Sequence, residues 1–212
     1  LPTIAPYLIP RFFPQLMNKY PDMDVRIVEM KTEDLKRALV RGDVDAGILA
    51  QLEGLEEFDS MSLFYEQFFA YVADGDPLFS KESIKTADLT GEYLWLLDEG
   101  HCFRDQLVRY CQLSASAKRA IRYSEGNLLS FMHLVEGGQG MTFIPKLAER
   151  YLGTDQRSLV RPFAIPRPVR AIHLAFRSDF VRTSLLDAFA STICSSVPQD
   201  MLQMAPNQAL AK

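Results

Sequence analysis

Two cysteines, Cys102 and Cys111, are the residues of this chain best suited to redox chemistry, and they stand nine positions apart. The segment between them is predicted to be helical. Nine residues of helix rise by roughly 13 Å over about two and a half turns, so the two thiols point to opposite sides. A disulfide requires Cα atoms no more than about 7 Å apart. The pair can therefore bond only if the helix unravels, which is the behaviour expected of a redox switch.

The predicted helix has one apolar face. Phe103, Leu107, Tyr110 and Cys111 recur at helical spacing, which predicts a single buried stripe. Cys111 is therefore expected to start out buried. It would have to leave the core before it could bond to Cys102, and its segment would be remodelled.

Cys102 is predicted at the start of this helix, directly after a turn that contains Gly100. The unpaired backbone N–H groups and the positive end of the helix dipole favour a thiolate there. His101 and Arg104 are neighbours that can carry positive charge and act in the same direction. The alternative is that both cysteines are ordinary small core residues, since free cysteine is commonly buried. The residues by themselves leave this choice open.

Other chemistries are not predicted. Zinc ligands usually come in C-x(2–4)-C or H-x(3–5)-H pairs, whereas the three Cys and three His of this chain are dispersed. The chain has no C-x-x-C, H-E-x-x-H, G-x-S-x-G or Walker motif. We therefore expect no metal and no cofactor. Cys194 follows a helical apolar pattern near the C-terminal end and is expected to be structural.

Length and composition are ordinary for a globular protein. The 212 residues are 48% apolar and 24% charged, which suits one large α/β domain or two lobes of about 100 residues each. No apolar run approaches the ~20 residues of a membrane span, and no signal peptide is visible. Three cysteines, an odd count, favour a reducing cytoplasm. The net charge of −4 and the lack of a basic stripe argue against nucleic-acid binding by this chain itself. The chain does not begin with Met, so we expect it to be a piece of a longer protein.

Helical and strand patterns alternate along the chain, which predicts parallel or mixed sheets covered on both faces. Helices are predicted at residues 5–20, 32–41, 102–113, 127–136, 145–151 and 184–195. Strands are predicted at residues 25–28, 46–50, 68–72, 93–97, 120–123, 141–144 and 171–176. Gly42 is expected to end the second helix. The polar tail at 198–212 is expected to fray.

Four segments resemble a known family. Residues 3–10, 32–35 with 42–49, and 138–145 resemble the effector-binding domain of LysR-type transcription regulators. The run 100–111, in which Gly-His-Cys precedes Arg-Asp-Gln and a second Cys, is similar to the peroxide-sensing members of that family. The resemblance extends over nearly the whole chain up to its tail, and the cysteine run is its most specific part.

The resemblance implies an α/β fold of two Rossmann-like lobes, similar to type 2 periplasmic solute-binding proteins and joined by two crossover strands. Lobe I would hold residues 1–66 and 172–212, with the C-terminal helix packed on it. Lobe II would hold residues 67–171 and carry the redox cysteines. The site is expected in the cleft between the lobes, beyond the carboxyl ends of the strands. The winged helix-turn-helix DNA-binding domain of the family would lie outside this chain.

The resemblance also implies a mechanism. Cys102 would be the peroxidatic cysteine, which hydrogen peroxide oxidises to sulfenic acid, and Cys111 the resolving cysteine. The residues expected to bind peroxide or activate the thiol are Thr3, Thr32, His101, Arg104 and Asp105. From its position alone, Thr32 would be predicted as the N-cap of the second helix, and the two roles are compatible.

The implied assembly is a homodimer of regulatory domains, tetrameric in the full-length protein. Phe13 and Ile27 are expected at the dimer interface, since the first helix carries more large apolar groups than one core-facing stripe can hold. Disulfide formation would alter the dimer geometry and the transcription of antioxidant genes, with promoter DNA and RNA polymerase bound only by the full-length protein. Two alternatives remain open: a domain that binds a small organic co-inducer, and a thiol peroxidase. The peroxide-sensing hypothesis, unlike the thiol peroxidase, implies a sensor and not an enzyme.

Overall fold

The computed structural model describes residues 1–50, 53–89, 94–113 and 126–211. Its α-helices are α1 (Ala5–Lys19), α2 (Thr32–Arg41), α3 (Cys102–Tyr110), α4 (Leu128–Glu136), α5 (Thr154–Ser158) and α6 (Thr183–Ser196). Its strands are β1 (Ala46–Leu49), β2 (Phe58–Val72), β3 (Met141–Pro145), β4 (Val160–Pro162), β5 (Arg167–Arg177) and β6 (Gln208–Leu210). Short 3-10 helices lie at Pro77–Ser80, Thr86–Asp88, Lys146–Tyr151 and Gln199–Met201. Within these ranges, no helix has the length and apolar character needed to cross a membrane.

Helices and strands alternate and the sheet is mixed, which confirms the predicted α/β class. The hydrogen-bonded strand order is β1-β5-β2-β3, with β4 attached to β2 and β6 to β5. β1 pairs antiparallel with β5, and β2 pairs antiparallel with β3 and β4. β6 runs parallel to β5. The long strands β2 and β5, of 15 and 11 residues, therefore carry the shorter ones.

The chain divides into two compact units. The first comprises Leu1–Tyr65 and Ala171–Ala205, and the second comprises Glu66–Arg170 and Pro206–Lys212. β2 passes from the first unit into the second, and β5 returns from the second to the first. These are the two crossover strands of the predicted fold.

In the first unit, the N-terminal helix α1 packs against the C-terminal helix α6. Phe12 of α1 is fully buried and packs edge-to-face on Phe189 of α6, with ring centroids 5.1 Å apart. α1 continues through Pro10 and Pro14, both of which lie on its exposed side. Each proline leaves the carbonyl four residues earlier without a helical donor, and on the exposed side water can bond it.

The close packing of α2 on β1 depends on Gly47. A Cβ atom at this position would lie 3.2 Å from side-chain carbons of both Leu35 and Leu39. The two leucines belong to a buried cluster that also contains Leu49 of β1. α2 ends at Gly42, whose φ of 74° is left-handed, as predicted for a C-cap glycine.

The predicted strand at 25–28 is absent. Residues 23–31 form no regular secondary structure, and Ile27 and Val28 are 42% and 43% exposed. β-branched residues favour strands, but a strand requires a pairing partner, and the described part of the chain supplies none to this segment.

The helix predicted at 145–151 is present as a 3-10 helix over Lys146–Tyr151. Two other predicted elements are shorter than expected. Of the strand predicted at 93–97, Leu94 forms an isolated bridge to Met141. The strand predicted at 120–123 lies outside the described residues. The helix predicted at 102–113 ends at Tyr110.

The tail also departs from the prediction. Assignment of residues 206–211 to lobe I and the expectation that they fray are both wrong, because Gln208–Leu210 pair in parallel with residues 167–169 of β5. The Ala211 amide extends this pairing by donating to the Val169 carbonyl at 2.8 Å. These backbone hydrogen bonds place the tail in the second unit.

The second unit contains the only tryptophan of the chain. The Trp95 indole donates to the Gln139 carbonyl at 2.9 Å, and its ring stacks on Phe131 of α4 with centroids 6.4 Å apart. On β2 of the same unit, the Tyr71 hydroxyl donates to Glu136 Oε1 at 2.9 Å. The Tyr71 contact joins α4 to β2, and the two Trp95 contacts join α4 to the turn after it.

Candidate redox site at helix α3

Cys102 opens α3, as predicted from the sequence. Gly100, with a φ of 87°, makes the turn, and His101 is the extended N-cap residue. The His101 carbonyl accepts from the amides of Arg104 at 2.9 Å and Asp105 at 3.2 Å. Cys102 itself is only 2% exposed. Cys102 thus lies buried in the first turn of α3, and the activation of its thiol there stays a prediction.

Cys111 lies at the other end of the same helix. It is the C-cap residue, 5% exposed, and its amide donates to the Leu107 carbonyl at 2.9 Å. Burial raises the pKa of the Cys111 thiol to about 12. The thiol is therefore protonated at neutral pH, and a protonated thiol is a poor nucleophile.

Neither cysteine forms a disulfide in this structure. The nine helical residues from Cys102 to Tyr110 rise by roughly 13 Å, far beyond the about 7 Å that a disulfide allows between Cα atoms. The structure is thus that of the reduced chain, and joining the pair requires α3 to open.

A buried ion pair lies beneath α3. The guanidinium of Arg170 donates from Nε and Nη2 to Glu66 Oε2 at 2.9 and 2.6 Å, and the two side chains are 0% and 1% exposed. Glu66 Oε1 also accepts from the Leu147 amide at 3.2 Å. The Phe103 ring, next to Cys102 in sequence, lies 4.9 Å from the Arg170 guanidinium and 5.1 Å from the Phe68 ring. α3 is therefore held by an aromatic side chain that rests on a desolvated cation.

Glu66 and Arg170 belong to no recognisable motif and are not among the predicted site residues. Each is a charged residue within an otherwise largely apolar strand, β2 or β5, and this pattern could have indicated a buried charge. Such a residue is rarely buried unless it is paired. The partner, 104 positions away, could not be identified from either strand alone.

Arg104 is engaged by acidic neighbours. Its Nη1 donates to Asp105 Oδ1 at 3.1 Å, and its Nη2 lies 3.8 Å from Glu99 Oε1. The Arg104 side chain is 26% exposed. Its charge is thus shared with two carboxylates, and its action on Cys102 stays a prediction.

Thr3 and Thr32 belong to the first unit and both are buried. Thr32 is the first residue of α2, and Lys31 is the N-cap, so the prediction that Thr32 is the N-cap is wrong by one position. Lys31 has no cap hydrogen bond from its side chain. The role of the two threonines toward peroxide stays a prediction.

The two residues predicted at a dimer interface are accessible in the chain. Phe13 is half-buried on α1 and meets Phe12 edge-to-face at 6.5 Å, while Ile27 is exposed. Their role in assembly stays a prediction. The third cysteine, Cys194, donates from Sγ to the Leu63 carbonyl at 3.3 Å, and burial raises the pKa of its thiol. Among the described residues, no group of three or more His, Cys, Asp or Glu could hold a metal ion.

Comparison with known proteins identifies the family. The model of the LysR substrate binding domain matches residues 1–195. The chain belongs to this family.

Two curated relatives and one solved structure are representative. The "Hydrogen peroxide-inducible genes activator" of Haemophilus influenzae is 30% identical over 93% of this chain and 65% of its own length. The "DNA-binding transcriptional dual regulator OxyR" of Escherichia coli is 31% identical over 91% of this chain and 63% of its own. The crystal structure of reduced OxyR from Porphyromonas gingivalis has 44% sequence identity and a TM-score of 0.91, covering 99% of this chain and 96% of that one. The chain thus spans less than two thirds of the curated relatives.

Proposed function

We propose that this LysR substrate-binding domain is the hydrogen-peroxide sensor of a transcription activator. The observation that carries the proposal is the placement of two buried thiols, which form no disulfide, at opposite ends of one nine-residue helix. A small-molecule effector site would not need this arrangement. Relatives that carry the name "Hydrogen peroxide-inducible genes activator" support the same reading.

The proposed chemistry has two steps that balance. The Cys102 thiolate attacks one peroxide oxygen, the O–O bond breaks, and the sulfur becomes a sulfenic acid while hydroxide leaves. The sulfur has then lost two electrons to the peroxide. The Cys111 thiol next attacks the sulfenic sulfur, the S–O bond breaks, and water leaves as the disulfide forms.

The second step is slow while α3 is intact, because Cys111 is both distant and protonated. Its pKa of about 12 reflects burial, so exposure returns the thiol toward the ordinary value of about 8.5 and makes it a competent nucleophile. Opening of the helix thus supplies proximity and reactivity together. The rearranged segment is the signal that this mechanism delivers to the rest of the regulator.

The remaining parts of the proposal concern the whole protein. A homodimer that uses Phe13 and Ile27 would convert the local change into altered geometry, and promoter DNA and RNA polymerase would be contacted by the full-length chain in the cytoplasm. The odd number of cysteines, three, fits a reducing compartment. Thr3, Thr32, His101, Arg104 and Asp105 are the residues proposed to bind or activate peroxide.

The test is peptide mapping of the domain after one equivalent of hydrogen peroxide. A Cys102–Cys111 disulfide with loss of two hydrogens is expected, and Cys102→Ser should abolish it. Cys194→Ser is the matched control and should leave it unchanged. Modification of Cys194 alone would overturn the proposal, and rapid peroxide turnover with a thiol reductant would assign the chain to the thiol peroxidases instead.

A further inference from the structure

The end of α3 at Cys111 is closed by a specific hydrogen-bond pattern. The Gln112 amide donates to the Arg109 carbonyl at 3.2 Å, and the Leu113 amide donates to the Val108 carbonyl at 3.0 Å. With Cys111 as the C-cap, these are the two bonds of a Schellman motif. Cys111 therefore stays in place as long as this cap is closed.

The cap carries an unfavourable residue at its left-handed position. Gln112 has a φ of 50° and is the one residue other than glycine with a positive φ in the described ranges. This position of a Schellman motif is usually glycine, because a Cβ atom is disfavoured in the left-handed conformation. The closed cap is therefore weaker than the same cap with glycine would be.

A side-chain hydrogen bond stabilises the closed form of this cap. Tyr110, the last residue of α3, donates from its hydroxyl to the Pro166 carbonyl at 2.5 Å. The acceptor lies between β4 and β5 in a segment bonded on both sides, by Ala164 N to Ile84 O at 2.9 Å and Arg167 N to Asn207 O at 2.8 Å. The phenol therefore bonds to a fixed point of the second unit.

The Tyr110 hydroxyl is protonated, and so able to donate, at neutral pH. Burial, and secondly the charge of a Cys111 thiolate, raise the pKa of Tyr110. The hydroxyl therefore keeps its proton, and the thiol is near enough for its charge to be felt. The contact and the resolving cysteine thus lie together at one end of the helix.

We infer that this C-terminal cap of α3 is a gate on the resolving step, held closed by the Tyr110–Pro166 hydrogen bond and biased toward opening by the left-handed Gln112. The inference rests on the proposed peroxide function and assigns Tyr110 as a positioning residue, which acts through Cys111. The gate lies between the two chemical steps. It sets the lifetime of the Cys102 sulfenic acid and leaves the reaction of Cys102 with peroxide, at the opposite end of the helix, unchanged.

Two substitutions should move the resolving step in opposite directions. Tyr110→Phe removes only the hydroxyl and should speed disulfide closure on the order of fivefold, from the loss of one net hydrogen bond. Gln112→Gly relieves the left-handed residue and should slow closure by a similar factor. Rapid-quench mass spectrometry with a 1,3-dione trap measures sulfenic acid formation and disulfide closure separately, and the first rate should stay within about twofold of wild type in both variants.

Tyr71→Phe is the matched control, since it removes a phenol hydrogen bond of 2.9 Å in the same unit and should leave closure unchanged. A second measurement needs no peroxide: in a Cys102→Ser, Cys194→Ser background, a small alkylating reagent should modify Cys111 faster with Tyr110→Phe and more slowly with Gln112→Gly. A wild-type chain that forms no Cys102–Cys111 disulfide overturns the proposed function. Closure and alkylation at wild-type rates in both variants overturn the gate alone.

Discussion

The buried pair of Glu66 and Arg170 gives the sharpest stability prediction. Glu66→Gln keeps the shape of the side chain but replaces the carboxylate that binds the Arg170 guanidinium, which is 0% exposed, with a neutral amide. Removing one partner of a buried ion pair costs roughly 3–5 kcal/mol. The one amide oxygen can accept from Arg170 or from the Leu147 amide but not from both, so we expect a loss of at least about 3 kcal/mol.

The loss should be visible in the unfolding of the second unit. For a domain of this size, 3 kcal/mol corresponds to a decrease in Tm of about 10 °C. Guanidinium unfolding followed by Trp95 fluorescence reports on the second unit, and circular dichroism reports on the whole chain. Lys81→Met is the matched control, because the Lys81–Asp88 pair has side chains 43% and 18% exposed and should contribute less than about 1 kcal/mol.

The double variant Glu66→Gln, Arg170→Met tests the reason for the loss. It removes both charges and keeps an acceptor for the Leu147 amide, so it should regain about 2 kcal/mol relative to Glu66→Gln. If Glu66→Gln costs no more than Lys81→Met, or if the double variant is no more stable than the single one, the buried charge does not dominate the energetics beneath α3.

Four further outcomes are expected. Thr32→Val should lower stability by about 1 kcal/mol and slow the oxidation of Cys102 by peroxide, both measured on the same variant; unchanged kinetics would restrict Thr32 to the start of α2. Arg104→Ala should slow the peroxide reaction in stopped-flow measurements, and an unchanged rate would remove Arg104 from the activating groups. Phe13→Asp should give a folded monomer by light scattering with an unaltered circular dichroism spectrum, and a persistent dimer would place the interface elsewhere. Between about pH 9 and pH 12, the unfolded Cys111 thiol ionises while the folded thiol stays protonated, so stability should fall as pH rises, and less steeply in Cys111→Ala; equal slopes in urea titrations would contradict the burial of this thiol.

The sequence correctly predicted the ends of those helices that are set by residues next to them in the chain. Gly42 ends α2 through its own backbone conformation, and Cys102 begins α3 because the turn at Gly100 immediately precedes it. Spacing alone likewise predicted that a helix between Cys102 and Cys111 is incompatible with a disulfide, whereas the assignment of the two cysteines as a redox pair came from the family resemblance and stays a proposal.

Elements that depend on distant partners were not predictable in this way. The β-branched segment at 25–28 has the propensity of a strand but no described partner, whereas the polar tail has little propensity and pairs with β5 at 167–169. The Glu66–Arg170 pair joins residues 104 positions apart, and the Tyr110–Pro166 contact joins residues 56 apart. Their partners are set by the tertiary fold, which one sequence does not display.

Gly47 has a consequence for the position of Thr32. Since a Cβ atom there would come within 3.2 Å of Leu35 and Leu39, any larger residue at 47 would force the two leucines, or all of α2, to yield by a few tenths of an ångström. Thr32 is the first residue of that helix, so a rigid displacement of α2 would carry its hydroxyl along. Under the role proposed for Thr32, the absence of a side chain at position 47 therefore sets where a peroxide-binding hydroxyl lies. The spacing between α2 and β1 would then constrain chemistry as well as packing.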